Sequence, residues 1–197
     1  MARRTLAKEI DAVRQRLAGR PVVLVGLMGA GKTTVGRRLS ERLGLPFVDA
    51  DHEIEEAAGK SIAEIFADHG EPYFRDGERK VIARLLEGEP KVLATGGGAY
   101  MNAETRANIR KRGIAVWLRA DLALLMKRVK KRNDRPLLKG GDPELVMKTL
   151  IDQRYPVYAE ADITVDSRDS AHTVMVNDVI KALARWPEQT GALNHDD

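Results

Sequence analysis

Short apolar runs alternate along the chain with longer stretches in which apolar positions recur every three or four residues. The short runs predict strands at Val22–Val25, Phe47–Asp49, Val92–Thr95, Ile114–Leu118 and Ile163–Val165. The longer stretches predict helices near 32–44, 61–68, 72–87, 102–111, 121–131, 142–155 and 171–185. Strand and helix in alternation build a parallel sheet wrapped by helices. Val22-Val23-Leu24-Val25 holds no polar residue, as expected of a strand buried on both faces. The expected fold is an α/β domain, a doubly wound parallel five-stranded sheet with helices on both faces.

Three segments stand apart from this alternation. Leu6, Ile10, Val13 and Leu17 recur at helical spacing, so residues 1–19 read as an appended amphipathic helix. That helix is expected to pack on the core; a partner-binding arm is the alternative. Lys130 to Asp142 is rich in Lys and Arg, with Pro136 and a Gly140-Gly141 pair, and occupies the place of a mobile flap. Residues 187–197 show no apolar pattern and read as a flexible tail.

Composition narrows the classes. At 197 residues and 43% hydrophobic content the chain fits one domain with a real core. It has no cysteine, which excludes disulfides and thiolate metal sites and fits a reducing cytosol. Its 33 Lys and Arg against 29 Asp and Glu leave a net charge of +4, too little and too dispersed to imply a nucleic-acid partner. No apolar run reaches membrane-spanning length, and Met1-Ala2-Arg3-Arg4 is not followed by a signal-peptide core. A cytoplasmic protein with anionic small-molecule ligands is expected.

Gly26-Leu27-Met28-Gly29-Ala30-Gly31-Lys32-Thr33 matches G-x-x-x-x-G-K-[ST], directly after the first strand and opening a helix. Backbone N–H groups of such a loop, with the helix N-terminus, cradle phosphate oxygens. Lys32 then reaches the β- and γ-phosphates and the Thr33 hydroxyl can ligate Mg²⁺. Gly29, Ala30, Gly31 and Thr34 belong to the same nucleotide-binding turn. The second strand ends in Asp49-Ala50-Asp51, at the edge where ligands of parallel sheets collect. Two such acids suit a magnesium-side ligand and a hydroxyl-side base, although Asp51 could instead cap the following helix. Arg75, Glu78, Gly96-Gly97-Gly98 and Arg154 follow: glycines that admit a ligand to the backbone, and guanidinium forks suited to a carboxylate.

In their order these pieces resemble the shikimate kinase family over roughly residues 20–186: GLMGAGKTTVGRRL, FVDAD, SIAEIF, GEPYFRDGE, ATGGGA, RPLL and QRYPVYAEAD. The resemblance implies a P-loop NTPase-type fold like that of the nucleoside monophosphate kinases. It places a small acceptor-binding region near 50–80 and a lid near 130–142. It implies ATP as co-substrate, Mg²⁺ as cofactor, shikimate as acceptor and a monomer. It assigns Asp49 to the magnesium side and Asp51 to the acceptor hydroxyls as candidate general base. Arg75 and Arg154 would grip the acceptor carboxylate, Glu78 would orient Arg75, and Gly97 and Gly98 would meet the acceptor through their backbone. Phe66 and Phe74 would wall its pocket. Arg135 would close over the phosphates, and Arg128 and Arg168 would face adenine. A gluconate-type kinase of the same fold and a non-catalytic ATP-gated switch are the alternatives.

Overall fold

A computed structural model describes residues 2–130 and 142–187. Five strands form one parallel sheet: β1 Val22–Val25, β2 Phe47–Asp49, β3 Val92–Ala94, β4 Ile114–Arg119 and β5 Ile163–Asp166. Their order is β2-β3-β1-β4-β5. The all-apolar β1 lies at the centre, with Val22 paired to Val92 on one side and to Ile114 on the other. Its four residues are fully buried, the outcome its lack of polar positions requires. Because every strand is parallel, all five carboxyl ends open on one edge.

Helices α1 Ala2–Leu17, α2 Lys32–Leu43 and α8 His172–Arg185 pack together. The remaining helices are α3 Ala50–Ala58, α4 Ile62–Leu85, α5 Ala103–Arg112, α6 Leu122–Val129 and α7 Pro143–Tyr158. Of these, α4 packs on α3 and α5, and α6 on α7. Among the described residues no helix is long and apolar enough to cross a membrane.

The N-terminal helix is part of the core. Val13 and Leu17 are 0% and 3% exposed. The Arg14 Nε donates to the Leu43 carbonyl at 2.9 Å, so a cation meets the negative end of α2. Arg16 donates to the Trp186 carbonyl and the Arg20 guanidinium lies 4.8 Å from the Trp186 ring centre, tying the same helix to the end of α8.

Two boundaries differ from the sequence pattern. Residues 50–58, which fall in none of the helical ranges read from the pattern, form α3, whose Ala50 and Ile54 are buried one turn apart. The helix expected to stop at Tyr155, before Pro156, continues through the proline to Tyr158. Packing explains the second case: Tyr155 lies edge-on to Trp117 at 4.9 Å, and both Tyr155 and Tyr158 donate to backbone carbonyls. The break expected between the two helices of 61–87 is real. It falls at Gly70, with φ 79° and ψ 175° inside α4 and Pro72 just beyond.

If α1 is structural, truncating its buried face should act like a core deletion. Leu17→Ala is expected to lose about 2–4 kcal/mol in urea unfolding, and a loss within error would make α1 a detachable arm.

Candidate active site

The phosphate loop begins where β1 ends. Gly31 occupies the N-cap of α2 at φ 97°, a conformation costly for any residue with a Cβ, and no side chain caps the helix. The first N–H groups of α2 therefore face the loop, a ready site for an anion. Lys32 folds over the loop, its Nζ donating to the Gly26 carbonyl at 2.6 Å and the Leu27 carbonyl at 3.1 Å. The Thr33 hydroxyl donates to Asp49 Oδ2 at 2.9 Å, and Asp49 Oδ1 accepts the Asp51 N–H at 3.2 Å. Asp49, not Asp51, is thus the N-cap of α3. The strand ends at Asp49, so one carboxylate can serve the loop and the helix together while Asp51 turns into the cleft.

A second set of groups gathers at the end of β3. Glu78 is 3% exposed and its Oε2 accepts from Arg75 Nη1 at 2.8 Å. Glu78 Oε1 is buried with no hydrogen-bond partner among the described residues. A Cβ on Gly96 would stand 2.7 Å from Asp51 Oδ1 and 2.8 Å from Glu78 Oε1. A Cβ on Gly98 would collide with the Arg75 guanidinium at 2.5 Å. The glycine turn is bare because charged groups press on it from both sides. Arg154 Nη1 donates to the Gly97 carbonyl at 2.9 Å. Phe66 and Phe74, rings 4.7 Å apart, join Ile54 and Ile65 in a small apolar cluster outside the main core.

Burial and ion pairing both shift the titration of these groups. Burial pushes the Asp51 carboxyl up, Asp49 adds to the rise, and Lys32 opposes it. It pushes Glu78 up as well, against the pull of Arg75. Burial works against the Arg75 cation too, but ion pairs to Glu78 and Glu71 outweigh it and hold its pKa above the ordinary value.

A model of the shikimate kinase family matches residues 28–184. The chain belongs to that family. It is 60% identical to the shikimate kinase of Rhodopseudomonas palustris over 167 residues, covering 85% of this chain and 82% of the relative. It is 52% identical to the shikimate kinase of Brucella canis over 187 residues, 95% and 94% of the two chains. The solved shikimate kinase of Acinetobacter baumannii in complex with shikimate superposes with a TM-score of 0.80 at 39% identity, covering 86% of this chain and 95% of that one.

Within this family member a cleft of about 480 Å³ runs along the carboxyl edge of the sheet. It brings together Gly29, Gly31, Lys32, Thr33, Thr34, Asp49, Asp51, Gly97 and Arg128. Ala30 lies beneath the loop, 1% exposed. Arg128 bridges the loop to the segment after β5, donating to the Gly29 and Ala30 carbonyls, the Ser167 hydroxyl and the Arg168 carbonyl. Arg168 does not line this cleft. It lines an adjoining recess with Asp121, Ser167 and Asp169. Arg135 lies outside the described residues.

The sequence reading passed over His172 and Ser170, which line the cleft, and Tyr158, which touches Gly97. Burial, with Arg38 and Arg128 nearby, holds the His172 imidazole below its usual range. The signal for 170–172 was available: they follow the carboxyl end of β5, where ligands of parallel sheets gather.

The raised Asp51 pKa carries a stability consequence. The folded state holds that proton more tightly than the unfolded chain, so the cost of burying the carboxylate is absent below the unfolded pKa. It grows as pH rises through the folded value. Asp51→Asn should therefore melt higher than the parent at pH 7–8, and the difference should fade towards about pH 4. An equal or lower melting temperature at pH 8 would show that the carboxylate is not strained by its site.

Proposed function

We propose that the chain transfers the γ-phosphoryl group of ATP to the 3-hydroxyl of shikimate, giving ADP and shikimate 3-phosphate. The observation that carries this reading is the convergence of Arg75 and Arg154 on one glycine turn, beside Asp51 and next to the phosphate loop. Two guanidiniums about a bare turn suit a carboxylate, and the neighbouring buried acid suits hydroxyls. On this reading residues 20–186 are the kinase domain, 1–19 an appended helix and 187–197 a tail.

Phosphoryl transfer asks the protein mainly for position and charge. The Gly26–Thr33 loop and Lys32 would hold the phosphates. Arg75 and Arg154 would fix the acceptor by its carboxylate, with Glu78 keeping Arg75 in place. Asp51 would accept the hydroxyl proton as the oxygen bonds to the γ-phosphorus and the bond to the departing ADP breaks. Lys32 opposes the rise that burial and Asp49 impose on the Asp51 carboxyl. Arg135 would add charge at the transferring group.

Magnesium fits the donor set: a threonine hydroxyl and a carboxylate oxygen 2.9 Å apart at the loop. Among the described residues no three acidic or imidazole groups gather for a metal, as suits an ion held largely by phosphate oxygens and water. Thr33 and Asp49 would hold it, and when bound it neutralises charge on the phosphates.

The test is ADP release by purified protein with ATP and magnesium, comparing shikimate, gluconate, AMP and no acceptor. Stimulation by shikimate alone is expected. Stimulation by gluconate instead would reassign the pocket, and none by any acceptor with ATP still bound would leave a nucleotide switch. Lys32→Met and Arg135→Ala should each lower turnover at least about a hundredfold. Arg154→Ala should raise the shikimate KM far more than the ATP KM; an unchanged shikimate KM would misplace the carboxylate grip.

A further inference from the structure

Tyr158 is fully buried, yet it carries a hydroxyl into the core. That hydroxyl donates to the Gly97 carbonyl, the same oxygen that accepts from Arg154. Arg154 and Tyr158 are four residues apart on α7, so one face of one helix presents both donors. Two donors on one carbonyl occupy both of its lone pairs and leave the peptide no freedom to rotate. A trans peptide points its N–H opposite its carbonyl, so holding Gly97 O on α7 aims the Gly98 N–H away from that helix. The Arg75 guanidinium crowds Gly98. The orientation of this peptide is thus set from α7 and felt at both arginines.

The helix accepts a proline to make this contact. Pro156 lies between Arg154 and Tyr158, where it removes a backbone hydrogen bond and crowds the carbonyl one turn back, a cost to the helix. A helix ending at Tyr155 would avoid that cost and leave the Gly97 carbonyl with Arg154 alone. The ring of Tyr158 packs 5.9 Å from Trp117 and 6.2 Å from Tyr155, contacts that a phenylalanine would keep. Burial lifts the phenol to about 12, so it remains a donor throughout the working pH range.

We propose that Tyr158 is a positioning residue for the acceptor carboxylate, holding the Gly97 carbonyl so that Arg154, bound to the same oxygen, presents a fixed edge of its guanidinium to the acceptor. This rests on the reading that Arg154 grips the carboxylate of shikimate.

The experiment is Tyr158→Phe, alone and combined with Arg154→Ala. Alone, it should raise the shikimate KM about tenfold, the loss expected for one buried hydrogen bond, with kcat and the ATP KM within about twofold. It should also narrow the preference for shikimate over its methyl ester, which lacks the carboxylate charge. In the Arg154→Ala background the same change should add less than about twofold, because the group it acts through is gone. Should the variant melt lower, the rise in melting temperature on adding shikimate, taken against its own baseline, still reads affinity and should shrink. An unchanged shikimate KM, an equal rise in both KM values, or a full effect without Arg154 would overturn the proposal and leave the activity intact. No shikimate turnover by the parent protein would overturn both.

Discussion

Asp51, Glu78 and the Arg75 and Arg154 guanidiniums meet around a turn with no side chains of its own, and the site is organised by the cost of bringing them there. Buried charges are tolerated when paired, and breaking a pair costs more than the pair contributes. Arg75 and Glu78 satisfy one another, but Glu78 Oε1 keeps no partner among the described residues and Asp51 sits above its ordinary pKa. Gly96 and Gly98 follow from this crowding, since a methyl group at either position would occupy space already held by a carboxylate or a guanidinium. On the proposed function, the stability given up here goes to groups that would meet an acceptor bringing its own hydroxyls and negative charge.

The phosphate side is coupled to this region through single residues. Asp49 accepts from Thr33 on the loop and from the first turn of α3. Gly97 lines the cleft while its carbonyl is held by α7. Arg128 ties the loop carbonyls to the segment after β5. Each bridge joins an element lining the cleft to one on another strand or helix, so the parts of the cleft are set with respect to one another.

Much of this was legible in the sequence where chemistry is local. The five strands, the phosphate loop and the break near Gly70 are written in apolar runs, a complete motif and a Gly–Pro pair. What escaped depends on contacts between distant segments. The extension of α7 through Pro156 is invisible to a local rule, because Trp117, Ala120 and Gly97 supply its reasons. The capping role of Asp49 rather than Asp51 turned on where α3 begins, a helix start that periodicity did not locate.

The strand order has a consequence for how the molecule is made. β1 comes first in the chain but sits in the middle of the sheet, and its partners are β3 and β4. A nascent chain cannot complete either ladder of Val22–Val25 until Val92–Ala94 and then Ile114–Arg119 have left the ribosome. Pairing across such separations is slow, and an apolar strand waiting with open edges invites aggregation. The arrangement that centres the phosphate loop therefore makes the most adhesive segment of the newborn chain wait longest for cover.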